Sequence, residues 1–387
     1  MKKKIAILGS TGSIGKTLIN IVDKNKDDFE IVLLTAKDNY AELLKQADKF
    51  KVKNLVITNK NSYLRLIKKV RNKNIKVYNN FLCFNSIFKK KIDYSMVAIS
   101  GIDGLNPTLN LIRYSKEIAI ANKEAIICGW DLIKRLLKKH KVKFIPVDSE
   151  HFSIWFALKN IDISNVEKIY ITASGGPFFN YTKKQLSNVK ISDTLKHPTW
   201  VMGKKITVDS ATLMNKVFEV IEAKNIFNID YKNLSIIRHS QSFVHSIIKF
   251  KNGILKFIAH DTTMKIPIYN SIYNQHTKHI RTSNLNIDHL DDMNFNRIDY
   301  KVFPIDKIFK LLPNQSSLFE TILISANDKF VDLYLKKKIN FVNFHKELLK
   351  FIQLNEFNKY KTKKVKNIED ILILNEYVRL KIDKMYI

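Results

Sequence analysis

Glycine is scarce in this chain, and its placement limits the fold more than any other feature. Ten glycines occur in 387 residues, below the usual share of about 7%. Three of them, Gly9, Gly12 and Gly15, fall within one seven-residue stretch. They follow the strand-like run Lys4–Leu8 and precede the helical pattern Lys16–Asp23. Strand, glycine turn and helix make a frame in which backbone N–H groups at a helix start face an anion, aided by the helix dipole. The spacing is G-x-x-G-x-x-G rather than G-x-G-x-x-G. Gly15-Lys16-Thr17 imitates the end of a nucleoside-triphosphate loop, but that loop needs glycine where Ser10 stands. A dinucleotide pyrophosphate is the expected ligand, with a plain structural turn as the competing reading.

Strand and helix patterns then alternate. Strands are expected at Glu30–Thr35, Asn54–Thr58, Ser95–Ser100, Glu117–Ala121 and Val142–Val147, and a helix at Asn39–Phe50. That order predicts a doubly wound, Rossmann-like parallel sheet over residues 1–149. After Asp148 the pattern becomes α+β. A strand is expected at Lys168–Ala173, a helix at Ser210–Phe227, and antiparallel strands at Leu234–Ile237, Ser242–Phe250 and Leu255–Ala259. Residues 150–273 are therefore expected to form a second, α+β domain. Residues 274–299, rich in Asn, Asp and His, suggest a linker. Helical spacing from 300 to 387 suggests a small C-terminal helical domain.

The formal charge is +30, from 66 basic and 36 acidic residues. The lysine runs are short and scattered along the whole chain, which fits solvated faces better than a polyanion footprint. Neither nucleic acid nor membrane is an expected partner, and no apolar stretch approaches the length of a membrane span. Met1–Lys4 precedes an apolar run of only four residues, too short for a signal-peptide core. Cys83 and Cys128 lie far apart, which excludes a disulfide scaffold and fits a reducing, cytoplasmic setting.

Further clusters carry candidate chemistry. No acid stands at the end of the second strand to accept a ribose 2′-OH; Lys37 and Asn39 there favour NADP over NAD, with Asp38 between them. In an extended Pro146–His151, Asp148 and Glu150 would share one face and Ser149 the other. Carboxylates about 4 Å apart repel by roughly 4 kcal/mol at an effective dielectric of 20. Either one takes a proton, or a cation such as Mg²⁺ or Mn²⁺ sits between them, or both are simply solvated. Ser210 is an expected N-cap, and Asn215, Lys216 and Glu219 share a helix face. That face offers phosphate donors and a third carboxylate, or an ordinary surface ion pair. Ser174 in a glycine turn could cradle phosphate, and His197 and Trp200 lie in a long irregular, lid-like segment.

Taken in order, these motifs resemble one family. Gly-Ser-Thr-Gly-Ser-Ile-Gly (9–15), Ala-Asn-Lys-Glu (121–124), Pro-Val-Asp-Ser-Glu-His (146–151), Ser-Gly-Gly-Pro-Phe (174–178), His-Pro-x-Trp-x-Met-Gly (197–203) and Val-Asp-Ser-Ala-Thr-x-Met-Asn-Lys (208–216) occur in series. Together they resemble the 1-deoxy-D-xylulose 5-phosphate reductoisomerase family over essentially the full length. The resemblance implies NADPH- and divalent-metal-dependent conversion of that sugar phosphate to 2-C-methyl-D-erythritol 4-phosphate, in the non-mevalonate isoprenoid route, by a homodimer. It implies metal ligands at Asp148, Glu150 and Glu219, and catalytic roles for Lys123, Glu150 and His197. Substrate contacts would fall on Lys123, Ser149, Glu150, Ser174, His197, Ser210, Asn215, Lys216 and Glu219. Cofactor contacts would fall on Thr11, Gly12, Ser13, Ile14, Lys37, Asn39, Asn122, Glu124 and Gly203. Lys37-Asp38 stands where the family commonly has glycine and a basic residue, and Val217 where it has glycine. His239-Ser240-Gln241-Ser242 and Asn327-Asp328 are further departures.

Overall fold

A computed structural model describes residues 1–71, 74–273, 279–284, 288–291 and 293–386. The chain divides into two compact units. The first comprises Met1–Ala125, Leu132–Phe152 and Met264–Arg281; the second comprises Ile126–Asp131, Ser153–Thr263 and Thr282–Ile387.

The first unit is built on a parallel sheet of β1 (Lys3–Leu8), β2 (Phe29–Ala36), β3 (Asn54–Ile57), β4 (Lys76–Tyr78), β5 (Ile92–Val97), β6 (Ser115–Ile120) and β7 (Lys143–Pro146). Its order is β4-β3-β2-β1-β5-β6-β7. Ile5, Ala6, Ile7 and Leu8 have no exposed surface, as expected of a strand covered on both faces by crossover helices. The strand order reverses direction at β1, between β2 and β5, and ligands of such sheets bind at that switch, beyond the carboxyl ends of the strands. The 9–15 loop leaves β1 there. The helix Lys265–Tyr273 also belongs to this unit, fixed by a Tyr94–Ser271 hydrogen bond of 2.7 Å. Residues 264–273, expected with the central domain, pack in the first unit.

The second unit holds a four-stranded sheet of β8 (Val166–Ala173), β9 (Leu234–Arg238), β10 (Val244–Phe250) and β11 (Leu255–Ala259), in the order β11-β10-β8-β9. β10 pairs antiparallel with β8 and β11, but β9 runs parallel to β8. β9 and β10 therefore run antiparallel, as expected, but are not neighbours, because β8 lies between them. The chain crosses from β8 to β9 through the helices Lys204–Ala211 and Met214–Phe227, and a helical crossover returns a parallel strand. Val220 and Ala223 of the second helix pack into one apolar cluster with Ile169, Ile171, Ile248 and Ile154. The helices Phe319–Leu335, Phe344–Ile352 and Ile368–Tyr386 lie in this same unit.

The expected linker, 274–299, lies partly outside the described residues. Its described part includes the short helix Asp288–Asp291 and a bridge from Asn296 to Arg238. Among the described residues, no helix is long and apolar enough to cross a membrane.

Candidate active site

The glycine loop of the first unit separates into structural glycines and a free one. Gly9 has φ +83°, and a Cβ there would lie 2.6 Å from the Ala98 carbonyl oxygen. At Gly15 a Cβ would lie 2.3 Å from the Gly9 carbonyl oxygen. Both are forced by packing. At Gly12 a Cβ would meet only the Gly9 oxygen at 3.5 Å, an ordinary contact. The fold therefore does not require glycine at position 12, whereas a closely approaching ligand does. Gly12 caps the helix Ser13–Lys24, and no side chain caps its first turn. Thr11, Ser13 and Ile14 flank that helix start, which suits the pyrophosphate of a dinucleotide.

Around this loop the expected cofactor residues take different roles. Lys37 is exposed, with its ammonium 3.7 Å from Asp103. Asn39 caps the helix Tyr40–Phe50, its Oδ1 accepting from Glu42 N–H at 3.1 Å. Asn122 is committed within the protein. Its Nδ2 donates to the carbonyls of Ile99 and Gly101, and its Oδ1 accepts from Ala125 N–H at 2.7 Å. That side chain ties the 99–104 loop to the start of the helix Lys123–His140. Glu124 follows it and is buried.

Asp148 and Glu150 stand at the start of a helix, not at the end of a strand. β7 stops at Pro146 and the helix Ser149–Ala157 begins within three residues. The i, i+2 alternation expected for an extended segment therefore does not apply. Asp148 acts at the helix start instead: its Oδ1 accepts from Glu150 N–H at 3.2 Å, and its backbone carbonyl accepts from Phe152 N–H at 2.7 Å. Lys123, 6% exposed, places Nζ 3.3 Å from Asp148 Oδ2, and His151 Nδ1 lies 3.1 Å from Oδ1. Ser149 Oγ donates to Glu150 Oε2. Carboxylates drawn together at a helix N-terminus and already faced by a cation form a hard oxygen donor set suited to Mg²⁺ or Mn²⁺.

The second unit gathers the anion-binding candidates. β8 ends at Ala173 and releases Ser174 into the 174–178 turn. Gly176 has φ +64°, and a Cβ there would lie 3.0 Å from the Ser210 carbonyl oxygen. Its missing side chain lets this turn close against the end of the 204–211 helix. His197 joins the two segments: Nε2 lies 3.2 Å from Ser174 Oγ and 3.0 Å from Ser210 Oγ. The backbone N–H groups of Thr199 and Trp200 point at Nδ1 from 3.2 and 3.0 Å. Nδ1 must accept both, which leaves the proton on Nε2. Burial, and then the Lys216 charge, push the imidazole down to about 4, so it is neutral near pH 7. The result is a neutral N–H and two hydroxyls converging beside an ammonium, a composition matched to a phosphate group.

Ser210 does not cap a helix start, as its sequence context suggested. It lies in the last turn of the 204–211 helix, and the expected continuous 210–227 helix is broken at Leu213. Leu213 has φ +59°, a conformation costing a non-glycine residue roughly 1–2 kcal/mol. Beyond it, Asn215, Lys216 and Glu219 share a face as expected. Asn215 Nδ2 donates to Glu219 Oε1, and Lys216 Nζ lies 2.5 Å from Glu219 Oε2. Glu219 is 1% exposed and Lys216 7%, which makes them a buried pair, not a surface one.

Trp200 and Met202 sit in an irregular segment ended by Gly203, which caps the 204–211 helix. The Trp200 ring packs edge-on, 6.3 Å from His245, and His245 stacks on His260 at 3.7 Å. No sequence motif points to this histidine pair, whereas Gly176 belongs to the Ser-Gly-Gly-Pro-Phe glycine turn expected at 174–178.

Known proteins resemble this chain along its whole length. The 1-deoxy-D-xylulose 5-phosphate reductoisomerase family model matches residues 5–129, and models of that enzyme's C-terminal domains match 144–227 and 261–381. The reductoisomerase of Pelagibacter ubique is 54% identical over 99% of both chains. That of Clostridium kluyveri is 35% identical over 99% of this chain and 98% of its own. The solved reductoisomerase of Zymomonas mobilis in complex with NADPH superposes with a TM-score of 0.88 at 28% identity, covering 100% of this chain and 99% of its own. A second, in complex with NADPH, fosmidomycin and magnesium, gives 0.89 at 27% identity over 99% and 98%. Likeness of this degree along the whole length, joined to a glycine loop at the sheet switch and the residues of all six motifs, leaves one assignment: the chain belongs to the 1-deoxy-D-xylulose 5-phosphate reductoisomerase family.

Proposed function

We propose that this protein rearranges 1-deoxy-D-xylulose 5-phosphate and reduces the resulting aldehyde with NADPH, giving 2-C-methyl-D-erythritol 4-phosphate for non-mevalonate isoprenoid synthesis. The observation that carries this reading is the His197–Ser174–Ser210 cradle beside Lys216 and Glu219, within a chain of this family.

In this reading Ser174, His197, Ser210, Asn215 and Lys216 bind the phosphate. Held away from the reacting carbons, the phosphate contributes binding energy that orients them. Asp148, Glu150 and Glu219 are the proposed ligands of Mg²⁺ or Mn²⁺, and their carboxylate oxygens suit a hard cation. Such a cation polarises a carbonyl as a Lewis acid. Lys123 and Ser149 fix the directions of Asp148 and Glu150 and face the same substrate oxygens. Thr11, Gly12, Ser13 and Ile14 hold the NADPH pyrophosphate; Lys37 and Asn39 face its 2′-phosphate, and Glu124 and Gly203 flank the cofactor. NADPH supplies the hydride. Trp200 and Met202 exclude water from the intermediate.

A homodimer is part of the proposal. β11 is an edge of the second sheet, and Ile254, Leu255 and Phe257 at that edge are 59%, 51% and 46% exposed. An apolar, unpaired edge strand invites pairing with a second copy. Sedimentation at micromolar concentration should give twice the chain mass. The cytoplasm is the proposed compartment, supported by the sparse cysteine usage, with Cys83 and Cys128 far apart in the sequence and both buried.

The test is NADPH absorbance with purified protein. Oxidation is expected only when a divalent cation and the deoxyxylulose phosphate are both present. Oxidation without the sugar phosphate, or none with both added, rejects the reading.

A further inference from the structure

The two helices bearing Ser210 and the Asn215, Lys216 and Glu219 group meet at Leu213, whose backbone is left-handed. Nothing in the adjacent sequence supplies a reason for that turn. The residue is not glycine or asparagine, and no side chain caps the start of the 214–227 helix. The Leu213 side chain is itself buried, at 2% exposure.

Contacts from the C-terminal helices close on this turn. His345, on the 344–352 helix, places Nε2 2.8 Å from the Thr212 carbonyl oxygen. That carbonyl lies at the end of the 204–211 helix, where acceptors lose their intrahelical partners. Burial pushes His345 down to about 4, so the ring is neutral and can donate from Nε2. Asn327, on the 319–335 helix, donates from Nδ2 to Asp209 Oδ1 at 2.7 Å. Asp209, Thr212, Asn327 and His345 are all buried. Lys205 adds a neighbouring tie, with Nζ 2.8 Å from Asp328 Oδ1.

We propose that His345 and Asn327 are positioning residues: they clamp the left-handed Leu213 turn and so set the angle between the helix carrying Ser210 and the helix carrying Asn215, Lys216 and Glu219. This rests on the reading that those four residues serve the substrate phosphate and the cation. It gives the C-terminal helices a part in active-site geometry without any contact to substrate.

The test compares His345→Phe, which keeps a ring and removes the donor, with His345→Gln, which keeps an N–H. Both are made in the full chain. Hydrogen exchange over residues 210–219 should rise about tenfold in His345→Phe and return toward the native rate in His345→Gln. KM for deoxyxylulose phosphate should rise about tenfold in His345→Phe, with NADPH affinity within twofold of native. Unchanged exchange at 210–219 overturns the proposal. So does raised exchange with an unchanged KM, or an equal loss of Tm and protection across the whole chain in both variants, which marks packing alone. If the native protein shows no turnover with this sugar phosphate, the functional reading fails, and the exchange measurement still decides whether His345 holds the turn.

Discussion

Lys216 and Glu219 stand one turn apart on the 214–227 helix, with Nζ and Oε2 2.5 Å apart and both side chains buried. The ammonium thereby fixes where the carboxylate points. Glu219→Gln keeps the shape and removes the charge. Turnover should fall by about a thousandfold, about 4 kcal/mol of barrier, while NADPH affinity stays within a few-fold. Parallel titrations of cation-dependent rate and NADPH fluorescence check this; equal loss of both would reject the separation of the two sites.

The glycine loop allows a paired comparison. Gly12→Ala introduces only an ordinary contact, 3.5 Å from the Gly9 oxygen. It should leave Tm nearly unchanged and weaken NADPH binding at least tenfold. Gly15→Ala places a methyl 2.3 Å from backbone and should lower stability by several kcal/mol, as overpacking does at roughly 1–3 kcal/mol or more. Thermal melting and calorimetric NADPH titration distinguish the two. A destabilised Gly12→Ala with normal binding would contradict the assignment.

His197 is held down to about 4 by burial and by Lys216, against an ordinary value of 6.5. Between those values the folded state binds fewer protons than the unfolded chain, so stability rises with pH across the window. This contribution is complete above pH 6.5 and disappears as pH falls toward 4. His345, pushed down to about 4 by burial, adds a second proton to the same window. Urea melts from pH 4.5 to 6.5 should show the slope reduced by about one proton in His197→Gln. An unaltered slope would show that the ring is protonated in the fold.

Glu320 behaves in the opposite sense. Burial raises it from 4.5 to about 7, with Ser317 hydrogen bonds and the Lys224 charge pulling it partly back. The folded state therefore holds this proton more tightly than the unfolded chain. Its contribution is full below the ordinary glutamate range and is lost as pH rises through about 7. Glu320→Gln should be near neutral at pH 5 and stabilising by roughly 2 kcal/mol at pH 8. Guanidinium midpoints at the two pH values test this, and a variant weaker at pH 8 would show that the ionised form is well compensated.

Much of the architecture was readable without coordinates because it depends on local period and local breaks. The buried run Ile5–Leu8, the 9–15 glycines and the alternating strands to Pro146 predict a wound parallel sheet, and β1 to β3 and β5 to β7 follow, whereas the three-residue β4 has no counterpart among the expected strands. The face shared by Asn215, Lys216 and Glu219 follows from helical spacing alone. Other features resisted that reading for physical reasons. Whether Asp148-Ser-Glu150 continues a strand or opens a helix is decided where β7 stops at Pro146, a point at which both readings satisfy local propensity.

The amino-acid sequence by itself determined the family, the ligand classes and which side chains carry charge or donate hydrogen bonds, because these depend on residue type and short-range order. Tertiary structure alone decided the parallel pairing of β9 with β8, the burial of Lys216 and Glu219, the tautomer of His197 and the left-handed turn at Leu213. The strand pairing, the burial and the turn are set by groups distant along the chain, whose proximity exists only after folding; the tautomer is set by the nearby N–H groups of Thr199 and Trp200, which face Nδ1 only along the folded path of the 197–200 segment.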